Sequence, residues 1–320
     1  MVQNVSIKTV IEALLDDSQT FPARYLQRFS DIAPSDLKSL LHAWSKVSLR
    51  RKVSLLEDLE DLAESDTLTS FDDLARALLT DPDAQVRVLA MRLLWECEDI
   101  KLVPVFLDIL NHDEAVEARA GAATALGLFV YLGELERIPA PLYHQIEDNL
   151  LEATTSADEI LVRRRALESL GASSRDEVPP LIEAAYNQKN PDWIVSALFA
   201  MSRSADERWD KQVLANLSSP NEDIRREAVR AAGELELRSS RHFLLDQLED
   251  EEDLEIRRHL IWSLSKIGGE GVRNRLEELL EQEPDDEEAD FLEEALDNLV
   301  FNEQTAQFDM FDFEPDDEDQ

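Results

Sequence analysis

Residues 83–94 read Asp-Ala-Gln-Val-Arg-Val-Leu-Ala-Met-Arg-Leu-Leu, and two later stretches repeat the pattern: Glu-Asp-Ile-Arg-Arg-Glu-Ala-Val-Arg-Ala-Ala-Gly at 222–233 and Leu-Glu-Ile-Arg-Arg-His-Leu-Ile-Trp-Ser-Leu-Ser at 254–265. In each, an aliphatic residue precedes an arginine, a small or apolar residue follows three later, and another apolar residue follows seven later. Those offsets fall on one face of a helix of 3.6 residues per turn. With the arginine as anchor, the register recurs at Arg50, Arg87, Arg119, Arg163, Ile194, Arg225, Arg257 and Ala289. The intervals run from 31 to 37 residues, apart from one of 44. A fixed period of this length is the mark of a helical repeat array.

Working outward, the third residue after each anchor is Val53, Ala90, Ala122, Ala166, Ala197, Ala228, Leu260 or Leu292. Small side chains there allow neighbouring helices to approach closely. Glycines follow the seven-later position at Gly127, Gly171 and Gly233, where they are expected to loosen or cap a helix end. A second amphipathic segment precedes each anchored helix, at 35–46, 71–79, 102–110, 142–153, 178–186, 209–217, 240–248 and 270–281. Such helix pairs bury their apolar faces only by stacking on one another. The long interval contains an insertion around Gly133–Pro141, where Pro139 and Pro141 interrupt a helix.

This pattern resembles HEAT repeats, especially the short bacterial HEAT-like repeats also present in phycobilisome lyases, and covers about residues 35–300. The resemblance implies an all-α, α-α superhelix, a HEAT-like solenoid of about eight helix pairs. Capping helices are expected over 1–33, the repeat solenoid over 34–301 and a disordered acidic tail over 302–320. It also implies that a concave surface lined by second helices grips a partner, and that each anchor arginine pairs with an acid near an inter-helix turn. Asp81, Asp113 and Glu251, each six residues before an anchor, fit that ladder.

Composition narrows the function. The 320 residues carry 70 Asp and Glu against 32 Lys and Arg, a net charge of −38. The stretch 276–320 holds 20 of the acids and no Lys, Arg or His. Phosphate backbones are bound by Lys and Arg displacing counterions, so direct contact with nucleic acid is not expected. No apolar run is long enough for a bilayer, no secretory leader is evident, and the single Cys97 excludes an intramolecular disulfide framework. A cytoplasmic protein is expected.

Chemistry is hard to find. The histidines, His42, His112, His144, His242 and His259, are scattered over different repeats, and none is followed by Glu. HEAT-like hydroxylases that act on deoxyhypusine use paired His-Glu dipeptides for iron, so no metal or other cofactor is expected. Cys97 lies among carboxylates, which raise a thiol pKa and make it a poor nucleophile. Gly268-Gly269-Glu-Gly271 reads as a turn and not as a phosphate loop. The chain is read as non-enzymatic.

Residues one and five after the anchors are expected to point away from the buried seam. Arg92, Arg164, Glu168, Arg226, Arg230, Arg258 and Trp262 therefore form a candidate partner-binding lane, suited to an acidic peptide or a phosphate-bearing ligand. The competing reading of the same residues is a solvated face of Glu–Arg pairs. In the tail, Gln307-Phe308-Asp309-Met310-Phe311 resembles the pentapeptide that docks on bacterial sliding clamps, although Phe308 departs from its usual small or aliphatic residue. The acidic tail could also dock on the lane as an intramolecular lid, or simply keep the chain soluble. Three functions follow: a scaffold for protein partners of unknown identity, a bilin lyase-like chaperone-enzyme, or a DNA-maintenance accessory recruited through the tail.

Overall fold

The computed structural model describes residues 5–282 and 286–311. The described residues are helical throughout, with no strand, and fall into two compact units, Met1–Ser173 and Ser174–Gln320.

In the first unit, α1 (Ile7–Leu15) and a 3-10 turn at Ala23–Arg28 precede four helix pairs. These are α2 (Pro34–Trp44) with α3 (Leu49–Ser65), α4 (Asp72–Leu78) with α5 (Ala84–Arg92), α6 (Val103–His112) with α7 (Val116–Glu134), and α8 (Ala140–Thr155) with α9 (Ile160–Leu170). The second unit adds α10 (Val178–Tyr186) with α11 (Pro191–Arg203), α12 (Asp210–Asn216) with α13 (Glu222–Glu234), α14 (Arg241–Asp250) with α15 (Leu254–Ile267), and α16 (Val272–Glu281) with α17 (Asp286–Phe311). Short turns join the members of each pair, and within each unit successive second helices pack on one another. The expected pairing and period are what the structure shows. Helix α17 carries the first ten residues of the acidic tail, and 312–320 lie outside the described residues.

Local chemistry explains where helices begin. Helices α5, α11, α13 and α15 open on side-chain caps: Asp83 accepts from the Gln85 N–H, Asn190 from Trp193, Asn221 from Ile224, and Asp253 from Glu255 and Ile256. First helices α2, α6, α8 and α10 open instead on proline in the first turn, which has no N–H to satisfy. The core is the predicted seam, with Ala90, Ala122, Ala166, Ala197, Ala228, Leu260 and Leu292 fully buried.

Two expectations are corrected. Arg50 is exposed, and the first repeat is registered two residues later, on Lys52. Measured from Lys52, the third, fourth and seventh residues are Leu55, Leu56 and Leu59, all buried. Gly127 and Gly233 are not helix caps. A Cβ on Gly127 would stand 2.9 Å from Ser169 Oγ and one on Gly233 2.6 Å from Ser263 Oγ, so both mark close helix contacts. Gly171 does cap α9.

Candidate functional site

The anchor residues are consumed by structure. Arg87 holds the Asp113 carboxylate through Nε at 2.8 Å and Nη2 at 2.6 Å, and its Nη1 donates to the Asp81 carbonyl at 2.8 Å. Arg119 repeats this with Asp158 at 3.0 and 2.6 Å and with the Asp113 carbonyl at 2.8 Å. Lys52 makes the first rung, 3.0 Å from Asp81, which also accepts from Trp44 Nε1 at 2.7 Å. In the second unit Arg257 reaches Glu288 at 3.0 Å, and Arg225 lies 3.9 Å from Glu251. Asp81 and Asp113 thus give a carbonyl to the anchor of their own repeat and a carboxylate to the base before it, Lys52 or Arg87, whereas Glu251 gives only its carboxylate, to Arg225, and Arg257 bonds the Leu248 carbonyl. Burial pulls the Asp113 carboxyl upward. The Arg87 guanidinium, the Ala115 N–H and the Arg119 charge outweigh it and hold the group below its ordinary value.

The lane residues behave differently in the two units. In the first, Arg92 is exposed and bonds Glu60 at 2.7 Å, and Arg164 is half-buried. Glu168 departs from expectation: it is only 6% exposed and is held by Arg165 at 2.6 Å. A carboxylate at that depth needs a cation, and Arg165 supplies it. Glu168 therefore does not belong to a solvent-facing lane.

In the second unit α11, α13, α15 and α17 bring arginines, acids and rings to one face. Arg226 bonds Asp223 at 2.5 Å and Glu255 at 2.9 Å. Arg230 bonds Glu227 at 2.5 Å and Ser202 at 2.7 Å, with its guanidinium carbon 4.5 Å from the centre of the Phe199 ring. Arg258 bonds Glu287 at 2.6 Å and lies 5.7 Å from the centre of Phe291, which sits 6.2 Å from Trp262 at an interplanar angle of 32°. Phe199, Trp262 and Phe291 are half-buried. Burial, with the nearby Arg230 and Arg226 charges, pushes the His259 pKa down against the opposing pull of Glu255, which keeps the imidazole neutral near pH 7.

The lane is thus a mixed surface and not a basic one. Glu255 and Glu287, which neutralise it, both lie two residues before an anchor; inspecting that register position in the sequence would have found them. Phe199 and Phe291 carry no such signal, because half-buried and core phenylalanines look alike in sequence.

The match to known families is local. The model for HEAT repeats matches residues 211–297. Residues 211–297 are thus HEAT repeats. The HEAT match spans α13, α15 and most of the described face. No curated protein matches the sequence. Among solved structures, the complex of CpcE and CpcF of phycocyanin lyase from Nostoc sp. PCC7120 is 19% identical, with a TM-score of 0.48 over 71% of this chain and 94% of that one. YibA of Escherichia coli is 17% identical, with 0.43 over 88% and 98%. Human deoxyhypusine hydroxylase in complex with glycerol is 18% identical, with 0.35 over 82% and 95%. Likenesses this weak carry nothing about function.

Among the described residues, no three His, Cys, Asp or Glu side chains group so as to hold a metal ion, and no helix is long and apolar enough to cross a membrane. Burial and a hydrogen bond with Asp72 raise the Cys97 thiol pKa, and Arg76 Nη2 lies 3.0 Å from its sulfur. The side chains of Phe308, Asp309, Met310 and Phe311, with that of Gln307, lie outside the described residues, although the backbone there is helical.

Proposed function

We propose that this HEAT-repeat protein is a non-enzymatic scaffold that binds another protein through the second-helix face of its C-terminal unit. The supporting observation is the cluster of half-open rings, Phe199, Trp262 and Phe291, interleaved with Arg230 and Arg258. Arginine and large aromatics are the residue types that carry most binding energy at protein interfaces. The accompanying Glu227, Glu255 and Glu287 make the face nearly neutral, which suits a partner of mixed charge better than a phosphate backbone. The chain's net charge of −38 favours the same choice. A lid formed by the acidic tail gains no support on this face, where Arg226, Arg230 and Arg258 already hold carboxylates. A half-buried lone thiol is consistent with work in a reducing compartment.

The test compares capture of partners by the full chain with capture by Trp262→Ala and Arg230→Glu variants of unchanged helicity. A protein partner bound by the full chain is expected to lose about tenfold or more in affinity to each variant, the usual range for a truncated interface hot spot. Partners retained at full affinity by both variants would exclude this face.

A further inference from the structure

Residues 37–56 hold Lys38, Lys46, Arg50, Arg51 and Lys52, with His42, and no Asp or Glu. In a chain with 70 acids this is the longest stretch without one. Lys52 is spent on Asp81, and Arg51 on the Asp16 and Gln19 carbonyls. Lys38, Lys46 and Arg50 are exposed and have no acid or other acceptor among the described residues. Lys38 and His42 lie one turn apart on α2, on the side opposite the buried Leu40 and Trp44. Lys46 follows in the turn before α3, and Arg50 stands in the first turn of α3 beside Leu49, which is 43% exposed. The ladder explains why acids are missing here. Asp81, Asp113, Asp158 and Glu251 stand at later turns and each serves the base of the repeat before it; the first repeat has none before it. The ladder does not explain three cations left without carboxylates.

Helix α17 presents the complement. Asp286, Asp290, Glu293, Glu294 and Asp297 fall on one side of it, opposite the buried Leu292, Ala295 and Leu299. All five are exposed, and none pairs with a described cation, since Arg257 and Arg258 take Glu288 and Glu287. Phe301, 67% exposed, continues the same side. The acidic strip from Asp286 to Asp297 is about 16 Å long, and the basic one from Lys38 to Lys46 about 12 Å, at 1.5 Å per residue. The two strips are opposite in sign and similar in length, and each is followed by an exposed apolar side chain. Two chains of net charge −38 repel at a distance. At about 0.15 M salt, however, charges more than about 8 Å apart are largely screened, so the contact between strips decides the outcome.

We infer that the basic edge of α2 and the α2–α3 turn is a docking surface for the α17 strip of a second copy of this chain. The two surfaces differ, so the contact is heterologous, and its repetition builds a ring or a head-to-tail chain. Neither surface includes Phe199, Arg230 or Trp262, so the contact stands apart from the partner face. Sedimentation velocity of the full chain at about 0.15 M salt tests it. The sedimentation coefficient is expected to rise with protein concentration. One variant carries Lys38→Glu, Lys46→Glu and Arg50→Glu, and a second carries Asp290→Lys, Glu294→Lys and Asp297→Lys, each checked for unchanged helicity. Each alone is expected to associate about tenfold more weakly or less, because like charges then face each other. An equimolar mixture of the two should associate again, since each supplies the strip the other has lost. A parent that stays monomeric at every concentration would overturn the assignment. So would variants that associate like the parent, or a mixture that stays monomeric. A monomeric parent that binds phosphatidylserine vesicles through Lys38, Lys46 and Arg50 would replace the second copy with an anionic membrane.

Discussion

The contacts between second helices rest on a pair of residues that recurs in both units. Ser169 donates its hydroxyl to the Ala123 carbonyl at 2.8 Å, and Ser263 donates to Val229 at 2.9 Å. In each case the serine faces a glycine four residues further along the accepting helix, Gly127 or Gly233. Alanine normally stabilises a helix interior by about 1 kcal/mol relative to glycine. Here its methyl would press into a serine whose own backbone is in contact, a fault of overpacking. Gly233→Ala is therefore expected to lower stability by about 1–2 kcal/mol, measured by denaturant titration, and Ser263→Gly should restore part of it. A gain in stability would show that the two helices separate freely.

At the scale of elements, the residue pattern made the helix pairs legible, because buried positions repeat at three, four and seven and the turns carry Asp, Asn or Pro. The first repeat was misregistered because a search for arginine finds Arg50, whereas the structure uses Lys52. What decides the register is the run Leu55-Leu56-Leu59 and the buried Asp81, whose side chain is 1% exposed. Removing one partner of a buried ion pair strands the other charge. Lys52→Ala should therefore cost about 3 kcal/mol, while Arg50→Ala should fall within about 0.5 kcal/mol of the parent, as exposed substitutions do. Equal losses, read from chemical unfolding, would restore the sequence-derived register. The face on α13, α15 and α17 was only half legible. Its arginines followed from the repeat, but their neutralisation depends on which helix lies alongside, and a single repeat does not encode that.

Charge operates on the scale of the whole molecule. Most bases of the ladder are committed to carboxylates, and three of these acids, Asp81, Asp113 and Asp158, titrate low. Burial is the largest influence on Asp81 and Asp113 and acts upward, yet bonds to Lys52, Trp44, Arg87 and backbone N–H groups win. For Asp158 the Arg119 bond is the largest influence. A carboxyl held below its unfolded value contributes stability that is complete above that value, 3.8 for Asp, and is lost as pH falls through the lowered one. The first unit is thus expected to lose stability as pH falls below about 4, and Asp113→Asn with Asp158→Asn should flatten that acid limb. Urea midpoints at pH 7 and pH 3 for parent and variant check this, and parallel declines would count against it.

The rungs of the ladder are offset, each joining a base of one repeat to an acid at the turn of the next, and this makes the repeats interchangeable. Excising residues 82–113 would leave Lys52 beside Asp81 and set Arg119 six places after Asp81, the relation Arg87 holds now. A chain built this way can gain or shed a module without stranding a buried charge. Its length is thereby free to vary by whole modules.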